Sequence, residues 1–120
     1  MNIHMKIFRS QRFDPLRVVM LDDEPWYIVA DICRTLGYGN ATKAARLVRQ
    51  EDKTIIHVPN LSVGSNPANA VNLSGLETLI LRSRRREDAA AFSRWLADTV
   101  FPIVYDDDPE PKPQDPPKET

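Results

Sequence analysis

Residues 17–37 constrain the fold more than any other part of the chain, because a strand pattern changes there to a helical one. Two strand-like runs, 17–21 and 26–29, flank the turn-forming sequence Asp-Asp-Glu-Pro, and this predicts a β-hairpin. The apolar positions that follow recur at helical spacing: Ile32, Cys33 and Leu36. Gly37 then ends the helix, as glycines commonly do. A hairpin joined directly to an amphipathic helix predicts a domain that mixes both kinds of element.

The middle of the chain predicts a second helix and a second pair of strands. Asn40 is a good N-cap for a short helix over residues 41 to about 49. The β-branched run 54–58 reads as a strand, and 70–73 is expected to return as its partner. Residues 59–69 contain Asn, Ser, Gly and Pro, so they are expected to form a loop or hairpin tip.

The segment 72–86 combines a helix start, an apolar stripe and a basic cluster. Ser74 and Glu77 have the spacing of a capping box, in which each side chain accepts from the other residue's amide. Three apolar residues then fall on one helical face: Leu76, Leu79 and Ile80. The helix ends in four arginines: Arg82, Arg84, Arg85 and Arg86. A last helix is expected from about residue 87, and Pro102 is expected to break it.

We therefore predict one α+β domain over residues 5–104, in which three or four helices pack on a small antiparallel sheet. The predicted core is the following set: Trp26, Ile28, Leu36, Leu47, Leu76, Leu79, Ile80, Phe92, Trp95, Leu96 and Val100. Composition changes sharply at the end, where three aspartates precede a proline-rich run. Because such a segment offers little for a core, residues 105–120 are expected to form an acidic, disordered tail.

The sequence gives little support for a catalytic, metal or cofactor site. His4 and His57 lie far apart without ligand-forming neighbours, so we expect no metal site. Cys33, the only cysteine, lies on an apolar helix face and is expected to be a buried, unreactive thiol. Asp31, near a helix start, is expected to cap that helix or to complement its dipole. No nucleophile and base form a set, so we expect neither enzyme activity nor a cofactor.

Hydropathy and charge bear on location and partners. No apolar run reaches the roughly 18 residues that span a bilayer, and the N-terminus lacks the pattern of a signal peptide. With one cysteine there is no internal disulfide, which fits a cytoplasmic protein. The net charge of −1 divides into −4 for residues 106–120 and +3 for residues 1–105. A basic body therefore adjoins an acidic end.

The basic residues form the strongest candidate site. The arginine cluster is joined by a helical stripe and one further arginine, which gives this set: Arg34, Lys43, Arg46, Arg49, Arg82, Arg84, Arg85 and Arg86. Arginine forks match phosphate oxygens, so the set predicts salt-dependent nucleic-acid binding. A protein with an acidic surface would use the same residues. A purely structural alternative pairs the arginines with Glu87 and Asp88.

Two blocks of the sequence resemble the BRO-N domain, the N-terminal module of baculovirus BRO proteins and phage antirepressors. The first block, residues 25–40, is similar to the family's aromatic strand, aspartate-containing helix and Leu-Gly-Tyr turn. The second, residues 73–103, resembles its Ser-Gly-Leu helix, arginine-serine link and final Phe-x-x-Trp helix. Together they anchor a match from about Phe8 to Val104. Glu77 stands where relatives often have an aromatic residue.

The resemblance implies an α+β domain that is often described as DNA-binding and is not an enzyme. In phages it sits in antirepressors, which lift lysogenic repression, commonly by binding the repressor. Many relatives carry a second, C-terminal domain, where here we expect only the acidic segment. The resemblance thus suggests a phage or prophage regulator in the bacterial cytoplasm.

Three hypotheses about partners follow. In the first, the basic residues hold DNA phosphates. In the second, the protein sequesters a repressor or another host or phage protein without contacting DNA. In the third, the acidic tail covers the protein's own basic surface and damps non-specific binding. No membrane partner is expected. The sequence leaves undecided whether the protein forms a homodimer, since it contains no heptad or exposed apolar strip that predicts one.

Overall fold

The computed structural model describes residues 3–57 and 67–105 of the chain. Its sheet contains five antiparallel strands in the order β1-β2-β3-β5-β4. The strands are β1 (Ile3–Phe8), β2 (Leu16–Leu21), β3 (Glu24–Ile28), β4 (Lys53–Ile56) and β5 (Ala68–Val71). The helices are α1 (Val29–Leu36), α2 (Ala41–Ala45), α3 (Leu73–Arg82), α4 (Arg86–Trp95) and α5 (Phe101–Tyr105). Since α4 continues into α5, this is the predicted α+β class, with four helices on a small antiparallel sheet.

The predicted hairpin is confirmed, with a tighter turn than the sequence suggested. Asp22 and Asp23 have φ values of 52° and 71°. Two positive φ values in succession define the type I′ turn, whose twist matches the strands it joins. Leu21 pairs directly with Glu24, so Glu24 already belongs to β3.

Strand β5 returns beside β4, as expected, and also pairs with β3. It therefore joins the N-terminal hairpin to the C-terminal half of the chain. Most of the predicted loop 59–69 and all but the first residue of the predicted tail 105–120 lie outside the described residues.

Helices α1 and α2 are joined by a turn that glycine makes possible. Gly37 has φ 85°, and its amide donates to the carbonyl oxygen of Cys33 at 2.9 Å. This left-handed C-terminal glycine was predicted from its position. Asn40 caps α2 as predicted, since its Oδ1 accepts from the amide of Lys43 at 3.0 Å. Helix α2 ends at Ala45 rather than near residue 49, because tighter i to i−3 bonds replace the α pattern over residues 46–48.

The predicted capping box of α3 is wrong. The N-cap is Asn72, whose Oδ1 accepts from the amide of Gly75 at 3.0 Å. Ser74 consequently lies inside the first turn, where its hydroxyl cannot act as the cap. A Cβ at Gly75 would lie 2.7 Å from the Cβ of Val71, so this turn packs too closely on β5 for any side chain. Leu76 and Leu79 are fully buried, as the helical spacing predicted.

Pro102 does not break the last helix. A π-helical turn, Leu96–Val100, follows α4, and the amide of Phe101 donates to the carbonyl of Leu96. Pro102 therefore falls in the first turn of α5, where a missing N–H costs little. The helix continues to Tyr105, whose hydroxyl lies 3.0 Å from that of Tyr27. Burial raises the pKa of both tyrosines.

The helices cover one face of the sheet and build the main core there. The strand residues Leu16, Val18 and Met20 contribute to it. The main helix residues in this core are Ile32, Leu36, Leu76, Leu79, Phe92, Leu96 and Val100. Most of the predicted core is therefore buried. Trp26, Ile80 and Trp95 are only partly buried. Leu47 is 40% exposed, because α2 ends before it.

Asp31 does not cap α1, contrary to one sequence prediction, although its place in the first turn suits the helix dipole. It is 2% exposed and accepts the Arg17 amide and Nε at Oδ2, at 2.8 and 2.9 Å. Arg17 Nη2 donates to Oδ1 at 2.9 Å, and Arg34 donates to the same oxygen. A buried carboxylate needs such partners, and here they tie β2 to α1.

Candidate nucleic-acid interface

The four clustered arginines lie where α3 gives way to α4, on a link that is fixed to α1. Ser83 is 4% exposed, and its hydroxyl donates to the carbonyl oxygen of Leu36 at 3.0 Å. The same hydroxyl accepts from the amide of Arg85 at 3.1 Å. These two bonds hold the arginine link against the C-terminal end of α1. The cluster is thus carried by ordered backbone rather than by a free loop.

Arg86 differs from the other three arginines because its side chain is used inside the fold. Its Nη1 donates to the carbonyl oxygens of Ile80, Leu81 and Ser83, at 3.1, 3.3 and 2.8 Å. Cations at a helix C-terminus satisfy carbonyls that have no helical partner and complement the dipole. Arg86 therefore closes α3, and this limits what it can offer to a ligand.

Arg85 lies across the α1–α2 turn. A Cβ at Gly37 would collide with the Nε, Cδ and Cζ atoms of Arg85, so the glycine leaves room for this side chain. Nη1 of Arg85 lies 3.9 Å from Asp88 Oδ2, which is a loose and partly exposed ion pair. Such a pair is worth little in water, so the guanidinium stays open to other anions.

A basic cleft forms between the α1–α2 turn, α2 and the arginine link. It consists of two adjoining hollows of about 540 and 550 Å³ that share Tyr38, Gly39 and Leu47. Their charged lining is Arg82, Arg84, Arg85 and Lys43. No carboxylate is among the described residues that line either hollow. We call this surface the basic cleft.

The floor of the basic cleft is apolar and ordered. Tyr38 donates its hydroxyl to the carbonyl oxygen of Leu79 at 2.6 Å, which fixes the ring between α1 and α3. Burial raises the pKa of Tyr38, so its hydroxyl remains a donor at neutral pH. Leu47, exposed by the early end of α2, lies beside it. From the sequence, Tyr38 was predicted only as part of a turn, and Leu47 was predicted to lie in the core.

The remaining predicted site residues lie elsewhere. Arg46 lines a separate hollow of about 560 Å³ with Lys53 and Ile55 of β4. Arg49 forms an ion pair with Glu51. The predicted stripe on the second helix is therefore divided, and of its three members only Lys43 lines the basic cleft.

Arg34 lies on the other side of Arg85, in a small hollow of about 170 Å³ that also contains Arg12. Asp14 lies 3.6 Å from the Nε of Arg34, and Asp88 lies 3.2 Å from Nη2 of Arg12. Carboxylates thus accompany these two arginines, whereas Arg82 and Arg84 of the basic cleft make no ion pair in the described part of the chain and Arg85 makes only the loose one with Asp88. Arg12 was missed from the sequence, because only the fold brings the β1–β2 loop next to α4.

Other chemistry finds little support in the described residues. Cys33 is 5% exposed, and burial raises its pKa to about 11, which disfavours the reactive thiolate. Among residues 3–57 and 67–105, no group of three or more His, Cys, Asp or Glu side chains is placed to hold a metal ion. No helix in this described part is long and apolar enough to cross a membrane.

Comparison with known proteins identifies the domain. Residues 15–102 match the model of the BRO family, N-terminal domain. A protein of Haemophilus influenzae described as uncharacterized is 32% identical over 92 residues, which is 75% of this chain and 45% of that protein. The chain thus spans less than half the length of this relative. No solved structure matches. With the family model covering most of its length, the chain belongs to the BRO family and carries that family's N-terminal domain.

Proposed function

We propose that the protein is a phage or prophage regulator of the antirepressor type, not an enzyme, and that its basic cleft binds the phosphate backbone of DNA. Membership of the BRO family supports a regulator of this kind. The observation that carries DNA binding is the grouping of Arg82, Arg84 and Lys43 around one cleft without a carboxylate among its described lining. The proposed site of action is the cytoplasm of the bacterial host.

How readily these cations bind phosphate depends on the ion pairs that they already make. An arginine that already pairs with a carboxylate must give up that pair to bind phosphate. Arg82 and Arg84 make no ion pair with any carboxylate in the described part of the chain. They are therefore free to release counterions from DNA, and this release provides most of the salt-dependent affinity.

The eight basic residues predicted from the sequence differ in their surroundings. Arg82, Arg84, Arg85 and Lys43 form the proposed phosphate site. Arg85 has only a loose pair with Asp88 at 3.9 Å, whereas Arg34 and Arg49 have closer carboxylate partners. Arg46 lies in another hollow, and Arg86 closes α3. These last four would add to the field around the protein rather than hold a phosphate directly. Phosphate contacts position a protein on DNA, and no base-reading side chain is assigned.

Fluorescence anisotropy with labelled duplex DNA tests this proposal. A duplex from the region upstream of the protein's own gene should bind more tightly than a scrambled duplex, and both should weaken steeply from about 50 to 200 mM salt. Equal affinity for both duplexes would reduce the function to a non-specific electrostatic surface. Absence of binding at about 50 mM salt would refute DNA binding.

A protein target is the second candidate, favoured by the apolar floor of the basic cleft. Tyr38 and the exposed Leu47 could hold an apolar side chain of a repressor or other host or phage protein, with acidic neighbours on the arginines. Affinity purification of the intact chain, with and without nuclease, separates the candidates. A repressor complex that survives nuclease and is lost in Leu47→Asp would favour the protein target.

The acidic segment 106–120 lies outside the described residues, and its proposed role is to compete with DNA for the basic cleft. Its charge of −4 opposes the +3 of residues 1–105. Deleting residues 106–120 should then tighten DNA binding, most at low salt. Unchanged affinity in the truncated chain would remove this role.

A further inference from the structure

The hollow of about 560 Å³ that contains Arg46 is lined mainly by polar side chains. It lies between α2, the 3₁₀ turn Gln50–Asp52, the edge strand β4 and its neighbour β5. Its polar lining residues are Thr42, Arg46, Gln50, Lys53, Thr54 and Asn69. There is no carboxylate among the described residues that line it. We call this surface the polar hollow.

The packing of α2 against the edge of the sheet builds the polar hollow from ordered elements. Ile55 of β4 pairs directly with Asn69 of β5. Asn69 lies on the helix-covered side of the sheet, because Val71, two positions further along the strand, belongs to the main core. Nζ of Lys53 donates to the carbonyl oxygen of Ala45 at 2.7 Å. This bond ties the end of α2 to β4, so Lys53 supports the walls of the polar hollow.

Three side chains of the polar hollow keep their hydrogen-bonding capacity for a ligand. Within residues 3–57 and 67–105, the side chains of Arg46, Gln50 and Asn69 have no hydrogen-bond or ion-pair partner. Arg46 and Gln50 are exposed, and Asn69 is half-buried. A guanidinium offers a fork of donors, and each amide offers both donors and an acceptor. A ligand with both donors and acceptors would therefore satisfy this set.

The edges of DNA bases in the major groove offer this combination of groups. Arginine pairs bidentately with guanine, and glutamine and asparagine pair bidentately with adenine. Ile55, which is 58% exposed and lines the same hollow, offers apolar contact of the kind that a thymine methyl group takes. An acidic protein surface suits the polar hollow less well, because two of its three unpartnered side chains are uncharged amides. The observations therefore favour bases over carboxylates.

The polar hollow and the basic cleft lie on neighbouring sides of α2. Thr42 and Arg46 are four positions apart and line the polar hollow, and Arg46 keeps helical backbone angles as the C-cap. Lys43, which lines the basic cleft, lies about 100° around the helix, and at a side-chain radius of about 5 Å this separates the two sides by roughly 8 Å. The major groove is about 12 Å wide, so one duplex can contact both surfaces.

We propose that the polar hollow reads base edges in the major groove of duplex DNA, through Arg46, Gln50 and Asn69, while the basic cleft holds the adjoining phosphates. The proposal rests on the proposed DNA binding of the basic cleft. It adds to that function the sequence preference that phosphate contacts alone do not supply.

Selection from a pool of duplexes with a randomised window of about 20 base pairs tests the proposal on the full 120-residue chain. Sequencing of the bound fraction should reveal a preferred motif, and fluorescence anisotropy then compares a duplex that carries this motif with a scrambled one. Arg46→Ala and Gln50→Ala should each lower the preference at least about fivefold, because one bidentate base contact is lost. Gln50→Ala should leave the salt slope unchanged, since the amide carries no charge.

Gln11→Ala and Arg94→Ala are the matched controls for these two variants. Both residues are exposed, and neither belongs to the described lining of the polar hollow or the basic cleft. Both controls should keep the original preference. Circular dichroism checks that all variants are folded.

Gln50→Glu separates base reading from a purely structural role of Gln50. A carboxylate of nearly the same shape accepts from the amino group of cytosine, so the selected motif should change from adenine to cytosine at one position. A structural role would weaken binding without creating a new base preference.

The outcomes distinguish base reading from DNA binding itself. Absence of binding to every duplex at about 50 mM salt would refute DNA binding and base reading together. Binding without a selected motif, or a preference that Arg46→Ala and Gln50→Ala both leave unchanged, would overturn base reading while phosphate binding by the basic cleft stands. If Gln50→Ala keeps its DNA preference but loses a protein complex that survives nuclease, the polar hollow belongs to a protein partner instead.

Discussion

Replacing Arg82 and Arg84 by glutamine should remove about two phosphate contacts from the complex with DNA. Neither side chain makes an ion pair in the described part of the chain, so neither replacement leaves a carboxylate without its partner. Each neutralised phosphate contributes about 0.9 to the slope of log affinity against log salt concentration. With Lys43 and Arg85 also in contact, the slope should change from about −3.6 in the original protein to about −1.8 in the variant.

These slopes translate into a large measurable difference. Between about 50 and 200 mM salt, the original protein should lose about 150-fold in affinity and the double variant about 12-fold. Fluorescence anisotropy over at least four salt concentrations gives both slopes. Because the two positions are exposed, the free energy of unfolding of the variant, measured by urea titration, should stay within about 0.5 kcal/mol of the original value.

Arg94→Gln provides the matched control for charge alone. Arg94 is an exposed arginine of α4 that does not line the basic cleft, so its removal should leave the slope unchanged. An unchanged slope in the Arg82/Arg84 variant would refute the assignment of these arginines to phosphate. An equal loss in Arg94→Gln would show that affinity comes from net charge and not from the basic cleft.

Three further predictions concern groups whose surroundings the fold defines. Arg86→Gln should lower the free energy of unfolding by about 1 kcal/mol in urea titration, because three carbonyl oxygens at the end of α3 lose a charged donor; an unchanged midpoint would contradict this. Asp31→Asn should cost about 3 kcal/mol in the same assay, since it removes the charge from a buried acceptor, whereas Asp14→Asn, at an exposed ion pair, should cost less than about 0.5 kcal/mol. Cys33 should react with thiol reagents at pH 8 only after unfolding, because burial raises its pKa from 9.0 to about 11. Since the unfolded thiol ionises first, stability should fall between pH 9 and about 11, and rapid labelling of the folded protein would refute this.

Several local features were readable from the sequence because neighbouring residues alone decide them. Asp22 and Asp23 favour a tight turn, Gly37 a left-handed helix end, and Asn40 a helix start, each through its own backbone preference. The burial of Leu76 followed from helical spacing. Two sequence blocks resembled the BRO-N domain, and the family model confirms that family.

The predictions that were wrong concern places where two local signals competed or where a contact between residues distant in sequence decided the local structure. Ser74 and Asn72 are both good helix caps, and the close packing of Gly75 on Val71 accompanies the earlier start. Pro102 is tolerated because the preceding π-helical turn places it in a first turn. The end of α2 at Ala45 was not marked by any glycine or proline, so it could not be read from the chain.

The sequence by itself determined the α+β class and the presence of an arginine cluster, because periodicity and capping residues act over a few positions, and the resemblance of two sequence blocks indicated the family. The tertiary structure decided which cations lie together. Arg86 turned back to close α3, Arg34 and Arg49 met carboxylates, and Lys43 joined Arg82 and Arg84. A second hydrophobic cluster, formed by Val19, Ile28, Ile56 and Ala70, likewise arose only when strands separated in sequence set these residues side by side. Charge and apolar character are local properties of a residue, whereas the surface to which each residue contributes depends on how the elements pack.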